Sequence, residues 1–587
     1  MALPTPTASG MPHRAGDFSS LCAALDYAAE GDTGLNFFAA DATMIASMSY
    51  GELRRDAMAL AGRLAAAYPR HARIGLVAET TRDFVTAFIA CQYAGLVPAT
   101  LSLPAAFGGR EAYEWQVSRM AATADLAAVM APAELAEILT SAMTGLDIPV
   151  RAMTGADLPD ASAPLAPHGE GDPAYIQFSS GSTSDPKGIV ATQASVMANC
   201  SAIIQDGLKI GPTDRVVSWL PLYHDMGMVG FLMVPLCAQM SVDYLSPSAF
   251  ARRPSTWLKL ISAWRATITY SPSFGYELCT KRYRGEELDL SSLRTAGIGG
   301  DMVRSDALSA FSDTFAPMGF DPRAFVASYG LAEVTLAASF APLGEGMKLD
   351  MIDSARMQTS GRAVPAAEMT RPGQTRAFVA CGRPLPTLAM RILGEAGQDL
   401  GERQVGRIQL KGPSLALGYF RAGEDVKPIT NDDGWFETGD LGYWLGDQVV
   451  ITGRFKDMIL WNGRNIWPQD IEWVAQHVGG KNISRAAAFD IEDRDGTTRI
   501  MLLAECWSRD PEVRAALAHE VVAATRAATG APVHLELVSL RTLPMTSSGK
   551  LSRSGARNRY LAGGFADLAA DDAVAAPVAV ATPTRGA

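Results

Sequence analysis

The sequence has few of the residues that form disulfide frameworks or structural metal sites. Among 587 residues there are seven cysteines and seven histidines, both scattered along the chain, and no two cysteines stand in a CxxC spacing. An odd number of widely spaced cysteines argues against a disulfide framework and against a cysteine-ligated zinc site. The cysteine content therefore favours a protein of a reducing compartment.

Long apolar runs and an excess of positive charge are also missing. The run MVGFLMVPLCA, at 228–238, is much shorter than the roughly 20 residues that span a bilayer. The N-terminus lacks a charged region followed by an apolar one, so it does not predict a signal peptide. The net charge of −11 disfavours non-specific binding to nucleic acid or to anionic membranes. We expect a soluble cytoplasmic protein with no transmembrane segment and no nucleic-acid partner.

What the sequence does contain is a regular alternation of short apolar runs with longer amphipathic stretches. Examples are RIGLVAE followed by DFVTAFIACQYAG, and ATITYSP followed later by DALSAFSDTF. The short runs predict buried strands, and the longer stretches have the 3.6-residue period of helices. This alternation predicts an α/β fold with mainly parallel sheets.

The character of the chain changes along its length, which indicates more than one domain. Beyond about Thr452 three strand-like runs and a helix from Pro511 to Gly530 predict a smaller α+β domain. The terminal segments 1–16 and 566–587 are rich in Ala, Pro and Thr without a helical period. We expect both terminal segments to be disordered.

The stretch QFSSGSTSDPKGIV, at 177–190, concentrates hydroxyl groups and glycines around one lysine. A loop of this composition after a strand exposes N–H groups and hydroxyls that suit a bound phosphate, although an ordinary surface turn is the alternative. It is not a Walker A loop, because Pro186 replaces the second glycine and Gly188 replaces the hydroxyl residue after the lysine. A P-loop ATPase is therefore disfavoured. The candidate phosphate ligands are Ser179, Ser180, Gly181, Ser182, Thr183 and Lys187.

The segment SSGSTSDPKG resembles the phosphate loop of the adenylate-forming (ANL) superfamily, which includes acyl-CoA synthetases, luciferases and peptide-synthetase adenylation domains. Ser184 stands where that loop usually has glycine. Five further segments resemble the other motifs of the superfamily, in the same order. They are PLYHDMG (221–227), ASYGLAE (327–333), GWFETGD (434–440), GRFKDMILWNGRNIWPQDIE (453–472) and LPMTSSGKLSR (543–553).

The resemblance implies the ANL architecture. A large N-terminal adenylation domain with mainly parallel sheets would occupy 17–452, with an insertion at about 342–378. A hinge linker at 453–457, turning about Asp457, would lead to a small mobile α+β domain at 458–565.

The resemblance also implies the roles of the reacting groups, in a reaction that joins a carboxylate to AMP from ATP. Lys550 would pair with the substrate carboxylate and a phosphate oxygen, His224 would lie between carboxylate and nucleotide, and Glu333 would hold Mg²⁺. Two anions must meet in this reaction, so fixed positive charge has to offset their repulsion. These three residues are the catalytic candidates.

The nucleotide would be held by residues of four further segments. Asp440 would accept hydrogen bonds from the ribose hydroxyls, Arg454 would donate to the same sugar, and Tyr329 would flank the adenine. The remaining nucleotide-binding candidates are Gly299, Gly300, Asp301, Ser328, Gly330 and Leu331.

An acyl pocket is expected beside the segment 218–282, which resembles the corresponding part of fatty acyl-AMP ligases. The candidates for its lining are Met228, Val229, Phe274 and Tyr276. Methionine and aromatic residues beside a strand are also typical of plain core, which is the alternative.

Two further features resemble fatty acyl-AMP ligases rather than CoA synthetases. Ala332 occupies a position where many CoA synthetases have threonine, and 342–378 resembles the insertion that restricts the use of CoA. A neutral surface loop is the alternative for the insertion. The resemblance implies activation of a medium- or long-chain fatty acid and transfer to the phosphopantetheine of an acyl carrier protein, in polyketide or lipopeptide synthesis. An acyl-CoA synthetase and a non-catalytic nucleotide-binding scaffold are the alternatives.

Overall fold

The structure is a computed structural model that describes residues 5–6, 8–104, 109–178, 186–367, 374–492, 497–546 and 550–565. Its helices are α1 Leu21–Ala28, α2 Tyr50–Ala67, α3 Arg82–Ala94, α4 Gly109–Ala124, α5 Ala136–Ala142, α6 Gln193–Ala202, α7 Asp225–Met228, α8 Val234–Cys237, α9 Pro247–Arg252, α10 Ser255–Trp264, α11 Ser273–Arg282, α12 Ser305–Phe315, α13 Ser354–Ser360, α14 Pro468–Gly479, α15 Pro511–Thr529 and α16 Arg553–Leu561.

Strands alternate with these helices through most of the chain. They are β1 Gly34–Phe38, β2 Met44–Ser49, β3 Arg73–Val77, β4 Val97–Leu101, β5 Ala128–Ala131, β6 Val150–Ala152, β7 Pro173–Phe178, β8 Gly188–Thr192, β9 Arg215–Ser218, β10 Ser241–Leu245, β11 Ile268–Ser271, β12 Thr295–Ile298, β13 Phe325–Gly330, β14 Ala337–Phe340, β15 Leu349–Asp353, β16 Thr375–Val379, β17 Arg383–Pro384, β18 Ala389–Leu393, β19 Gly406–Lys411, β20 Gly418–Phe420, β21 Lys427–Pro428, β22 Phe436–Leu445, β23 Gln448–Arg454, β24 Ile459–Trp461, β25 Arg464–Ile466, β26 Ile483–Glu492, β27 Thr498–Cys506 and β28 Val533–Val538.

Two large sheets form the main body. One has the order β21-β20-β8-β7-β4-β3-β5-β6, and the other has the order β17-β14-β13-β12-β11-β9-β10-β1-β2. The inner strands of both sheets run parallel, and antiparallel strands lie at their edges. The predicted α/β fold with mainly parallel sheets is confirmed.

Local signals in the sequence explain where several helices begin and end. Ser49 and Glu52 form a capping box at the start of α2, in which each side chain bonds the other's backbone N–H. Thr81 caps α3, and α3 ends at Gly95, which has the left-handed conformation (φ 69°) that glycine adopts without strain. These caps fix where both helices begin, and α3 packs against α2 and against β3 and β4.

The parallel order of the second sheet positions the site. Neighbouring strands β13, β12, β11 and β9 all end at the same edge, and the segments after them carry Glu333, Gly299, Phe274 and His224. Ligands of open α/β sheets bind beyond the carboxyl ends of the strands.

Antiparallel strands complete the chain. Strands β18, β19, β22 and β23 form a four-stranded sheet, and β26, β27 and β28 form a three-stranded sheet against which α14 and α16 pack. The helix predicted from Pro511 is confirmed as α15. The predicted domain boundaries stay a prediction.

The stretch 342–378 contains regular secondary structure and is not an irregular loop. Residues 368–373 of it lie outside the described residues. Strands β15 and β16 pair antiparallel with α13 between them. Ile352, Met357 and Phe378 are buried with Tyr443 and Trp467 in a small cluster of their own. This stretch therefore has core contacts with residues on both sides of the predicted hinge at 453–457.

The expectation that 1–16 is disordered is wrong for residues 5–6 and 8–16. The backbone carbonyl of Thr5 accepts a hydrogen bond from Arg215 at 2.9 Å, and its hydroxyl accepts one from Asn36 at 3.1 Å. The backbone N–H of Arg14 donates to Gln239. Buried polar partners on β1 and β9 hold this segment, which composition alone does not reveal. Residues 566–587 lie outside the described residues.

No helix among the described residues combines the length and the apolar character that a membrane span requires.

One buried ion pair connects β9 and β10 and supports this end of the sheet. The Arg215 guanidinium donates to both carboxylate oxygens of Asp243, at 2.6 and 2.7 Å, and both side chains are almost fully buried. Asn36 donates to the same carboxylate at 2.8 Å.

We predict that Asp243→Asn lowers the free energy of unfolding by about 3 kcal/mol, because Arg215 then carries a buried charge without a counter-ion. The midpoint of urea unfolding, followed by circular dichroism, measures the change. Asp447→Asn is the matched control, because its pair with Arg383 is exposed, and it should change the midpoint little. Equal midpoints for both variants would contradict the prediction.

Candidate active site

A cavity of about 1230 Å³ lies at the carboxyl ends of the parallel strands, and residues 545–546 and 550–553 also line it. The predicted site residues that line it are Lys187, His224, Phe274, Gly299, Gly300, Asp301, Ser328, Tyr329, Gly330, Leu331, Glu333, Asp440, Arg454, Asp457 and Lys550. Ser179, Ser180, Gly181, Ser182 and Thr183 lie outside the described residues. The fold therefore brings together motifs that are hundreds of residues apart.

His224 and Lys550 face one buried carboxylate. The Nδ1 atom of His224 lies 2.5 Å from Oδ1 of Asp225. Burial alone would raise the pKa of Asp225, but the contact with His224 and the charge of Lys550 outweigh it, so this pKa lies below its usual value. Asp225 is thus ionised and fixes the His224 ring.

Glu333 lies in a second polar group of the cavity. Its Oε1 accepts a hydrogen bond from the Tyr419 hydroxyl at 2.9 Å, and the Nζ of Lys187 lies 4.9 Å from the centre of the Tyr419 ring. Burial is the main reason why the pKa of Glu333 is raised above its usual value, and the nearby charge of Asp225 adds to it. A buried carboxylate of this kind gains from a cation beside it.

Asp440 and Arg454 are opposite each other in the register of β22 and β23. The Tyr329 hydroxyl donates to Oδ2 of Asp440 at 2.7 Å, and the Nε of Arg454 lies 3.7 Å from Oδ1. Burial raises the pKa of Asp440, while Arg454, Tyr329 and Lys550 oppose the shift. The carboxylate is held rigidly, with a largely exposed arginine beside it.

The predicted hinge residue is part of an ion-pair network. Arg553 donates to Asp457 at 2.9 Å and to both carboxylate oxygens of Glu472 at 2.7 Å. Burial would lower the pKa of Arg553, but the two carboxylates raise it above its usual value. The network ties the short turn at Phe455–Asp457 to α14 and α16.

Part of the cavity is apolar. It is lined by buried side chains from β9, β11 and two π-helical turns, Ile203–Gly207 and Val229–Met233. Representative lining residues are Ile203, Leu208, Val216, Phe231, Val234 and Ile268. π-Helical turns are often found at functional sites. The cavity therefore joins a charged part to an apolar part.

Of the four residues predicted to line an acyl pocket, one borders the cavity. Phe274 lines the cavity, but Met228, Val229 and Tyr276 are not among its lining residues. Met228 and Val229 are buried in the core, and the Tyr276 hydroxyl donates to the carbonyl of Gly297 at 2.9 Å. These three side chains point into packed core rather than into the cavity, which is the alternative that their composition left open.

Several residues that shape the site were missed from the sequence. Asp225 stands in the PLYHDMG segment, so its position beside His224 was a usable signal. Tyr419 carried no signal, because only the pairing of β20 with β8 brings it beside Lys187 and Glu333. Arg553 stands within the last motif, but its partners Glu472 and Asp457 lie 81 and 96 residues earlier in the sequence, so the pairing was not visible there.

Comparison with known proteins fits this geometry. A family described as AMP-binding enzyme matches residues 36–420, which is more than half of the chain. The chain belongs to the AMP-binding enzyme family. Membership confirms the resemblance to the adenylate-forming superfamily and the ANL fold that it implied.

Individual members of the family are similar over nearly the whole chain. A Caulobacter vibrioides protein named "Putative acyl-CoA synthetase" is 46% identical, over 96% of this chain and 99% of that protein. JamA of Moorena producens, a medium-chain-fatty-acid–[acyl-carrier-protein] ligase, is 30% identical, over 88% of this chain and 90% of JamA. A solved structure from work on fatty acyl-adenylate ligases of E. coli and L. pneumophila has a TM-score of 0.89 and 40% identity, and covers 94% of this chain and 100% of that one.

We predict that Glu333→Gln raises the urea midpoint of the ligand-free protein at neutral pH. The pKa of Glu333 is raised in the folded state, which means that folding disfavours the ionised carboxylate. The contribution of this group to the free energy of unfolding is therefore fully present below pH 4.5, its usual pKa, and is lost as the pH rises through the pKa of the folded state. The glutamine oxygen still accepts the Tyr419 hydrogen bond but carries no charge. Urea midpoints measured from pH 8 down to pH 5 should show a gain that shrinks with falling pH.

Glu395→Gln, at an exposed position, is the control and should show no such trend. A Glu333→Gln midpoint equal to the wild type at every pH would refute the expectation.

Proposed function

We propose that this enzyme uses ATP to activate a medium- or long-chain fatty acid as an acyl-adenylate, releases pyrophosphate, and then transfers the acyl group to the phosphopantetheine thiol of an acyl carrier protein. The observation that carries the proposal is the single cavity in which Lys550 and Asp440 share a space with buried apolar residues. A polar nucleotide and an acyl chain can meet there.

The nucleotide would occupy the charged part of the cavity. Asp440 would accept hydrogen bonds from both ribose hydroxyls, since its carboxylate is already fixed by the Tyr329 hydroxyl. Arg454 lies beside the same carboxylate with 60% of its side chain exposed, free to turn toward a sugar. The turn at 299–301 and the backbone of 328–331 would flank the adenine, and Lys187 with Ser179–Thr183 would bind the phosphates.

The reaction would join the two anions under the positive charge of Lys550. A carboxylate oxygen of the fatty acid attacks the α-phosphorus, the new P–O bond forms, and the bond to the pyrophosphate oxygen breaks. Lys550 lies near both Asp225 and Asp440, as its effect on their pKa values indicates. Its ammonium group would offset the repulsion between carboxylate and phosphate. His224, oriented by Asp225, would bind the substrate carboxylate.

Magnesium fits the carboxylate of Glu333. The group offers hard oxygen ligands, and its pKa is raised by burial, so a neighbouring cation would stabilise its ionised form. When bound, Mg²⁺ supplies positive charge that neutralises the triphosphate. Glu333 would hold the ion, and Tyr419 would orient Glu333.

The second half-reaction would require the C-terminal residues to rotate at the linker 453–457. In the present arrangement Arg553 pairs with Asp457 and Glu472, and Lys550 lies in the cavity. Rotation about Asp457 would withdraw Lys550 and open a path for the pantetheine thiol. The thiol sulfur then attacks the acyl carbonyl, and AMP leaves.

Two contacts support a restricted use of CoA. The insertion strand β16 supplies Arg376, which pairs with the buried Asp470 of α14. Gln358 of α13 accepts a hydrogen bond from Arg464 at 2.5 Å. The insertion thus contacts segments on the far side of the proposed hinge, and these contacts would limit the rotation there. A limited rotation would favour a carrier protein over free CoA. Burial of all seven cysteines as free thiols supports a cytoplasmic location.

We predict that Lys550→Ala lowers the rate of fatty-acid-dependent pyrophosphate release by roughly 10²-fold or more, because the charge that offsets the repulsion is lost. A coupled phosphate assay with ATP, Mg²⁺ and fatty acids of graded length measures the rate. Lys481→Ala, at an exposed lysine of the same region, is the control and should retain the wild-type rate. Full activity in Lys550→Ala would remove the catalytic assignment, and no pyrophosphate release by the wild type with any fatty acid would favour a non-catalytic scaffold.

The acceptor is tested by offering the wild-type enzyme ATP, Mg²⁺, a fatty acid and either holo acyl carrier protein or CoA. We expect acyl carrier protein and little acyl-CoA, as detected by mass spectrometry. The name of the Caulobacter relative makes an acyl-CoA synthetase the second candidate. If acyl-CoA formed as fast as, or faster than, acylated carrier protein, the acyl-CoA synthetase would be the correct assignment.

A further inference from the structure

Two histidines and an aspartate meet far from the active-site cavity. His71 lies in the turn between α2 and β3, and His168 and Asp172 lie in the connection that leads into β7. Their ligand atoms all lie within 4.8 Å of one another. The Nε2 of His71 is 3.2 Å from Oδ1 of Asp172, and the Nδ1 of His168 is 3.7 Å from Oδ2.

His168 presents an unused nitrogen to this cluster. Its side chain is fully buried, and its Nε2 lies 2.9 Å from the backbone carbonyl of Leu96. A carbonyl can only accept, so Nε2 carries the proton and Nδ1 carries the lone pair. That Nδ1 is buried and has no hydrogen-bond partner. A buried nitrogen of this kind calls for an explanation, and a metal ion is one.

The other two groups complete a ligand set. Both imidazole rings lie beside the carboxylate of Asp172, since a ring nitrogen of His71 and one of His168 are 3.2 and 3.7 Å from its oxygens. Oδ2 of Asp172 accepts hydrogen bonds from the backbone of Gly169 at 2.8 Å and from Arg70 at 2.7 Å. These bonds hold the carboxylate still and leave Oδ1 directed at His71. The positive charge of Arg70 is the one feature that opposes a cation here.

We infer that His71 Nε2, His168 Nδ1 and a carboxylate oxygen of Asp172 bind one divalent transition-metal ion, with Zn²⁺ the best match. Two imidazoles and one carboxylate suit zinc, and a water would fill the fourth tetrahedral position. The hydrogen bond from His168 to Leu96 is the outer contact that metal-bound histidines usually make, since it fixes the tautomer that ligates.

The position of the site assigns it a structural role. Asp172 directly precedes β7, and the phosphate loop follows the other end of this six-residue strand. At about 3.3 Å per residue the two ends are roughly 20 Å apart. The ion would tie the turn after α2 to the segment that enters β7, and it would not touch the substrates. A metal-free ion pair between Asp172 and protonated histidines is the competing interpretation.

The test is a Zn²⁺ titration by calorimetry on the full chain, freed of any affinity tag and treated with a chelator. We expect one Zn²⁺ per chain and a rise in the melting temperature on adding Zn²⁺. His71→Asn should bind at least about tenfold more weakly and lose the rise. This variant is chosen because His71 is about half exposed and has a positive φ of 64°, which asparagine tolerates.

His519→Asn, an exposed histidine of α15, is the matched control and should bind like the wild type. Co²⁺ in place of Zn²⁺ gives a second readout, since a tetrahedral site produces visible absorption that His71→Asn should abolish. Fatty-acid-dependent pyrophosphate release by His71→Asn should equal that of the wild type. The inference is overturned if the wild type binds no Zn²⁺, or if His71→Asn binds it as tightly as the wild type does.

Discussion

The ammonium group of Lys550 favours the ionised forms of both Asp225 and Asp440, although the three residues come from distant parts of the sequence. The cavity also contains the buried carboxylate of Glu333, so it concentrates negative charge before any phosphate enters. Burial makes that charge unfavourable unless cations lie beside it. The site therefore depends on positive charge that Lys550 brings in from the last segment of the chain.

The charged residues that the motifs predicted meet in one cavity, and several of the motifs, such as PLYHDMG after β9 and ASYGLAE at the end of β13, lie where a strand ends. In a parallel sheet the carboxyl ends of the strands lie at one edge, so residues that follow successive strands come close together in space. Tyr419 shows the limit of this reasoning. It reaches Glu333 from 86 positions away because β20 pairs antiparallel with β8, and nothing in its surrounding residues marks that pairing.

The apolar part was predicted less well, for a related reason. A run such as 228–238 is apolar throughout, so its composition does not say which side chains face a cavity and which face the core. The π-helical turn Val229–Met233 shifts the helix face, with the result that Phe231 lines the cavity while Met228 and Val229 are packed away. The histidine and aspartate cluster was hidden in the same way. His71 and His168 are dispersed in the sequence, and only the parallel pairing of β3, β4 and β7 brings their connections together.

The two ends of β7 illustrate how this fold separates stability from function. Its carboxyl end, at Gln177 and Phe178, lines the cavity, in which burial raises the pKa values of Glu333 and Asp440, so their ionised forms oppose folding. Its amino end is fixed by Asp172, which bonds Arg70 and Gly169 and faces two histidines. A strand held firmly at one end can carry destabilising groups near the other, since local opening then stays local. Rigid support at a distance thus allows the catalytic edge to keep groups that a purely stable protein would exclude.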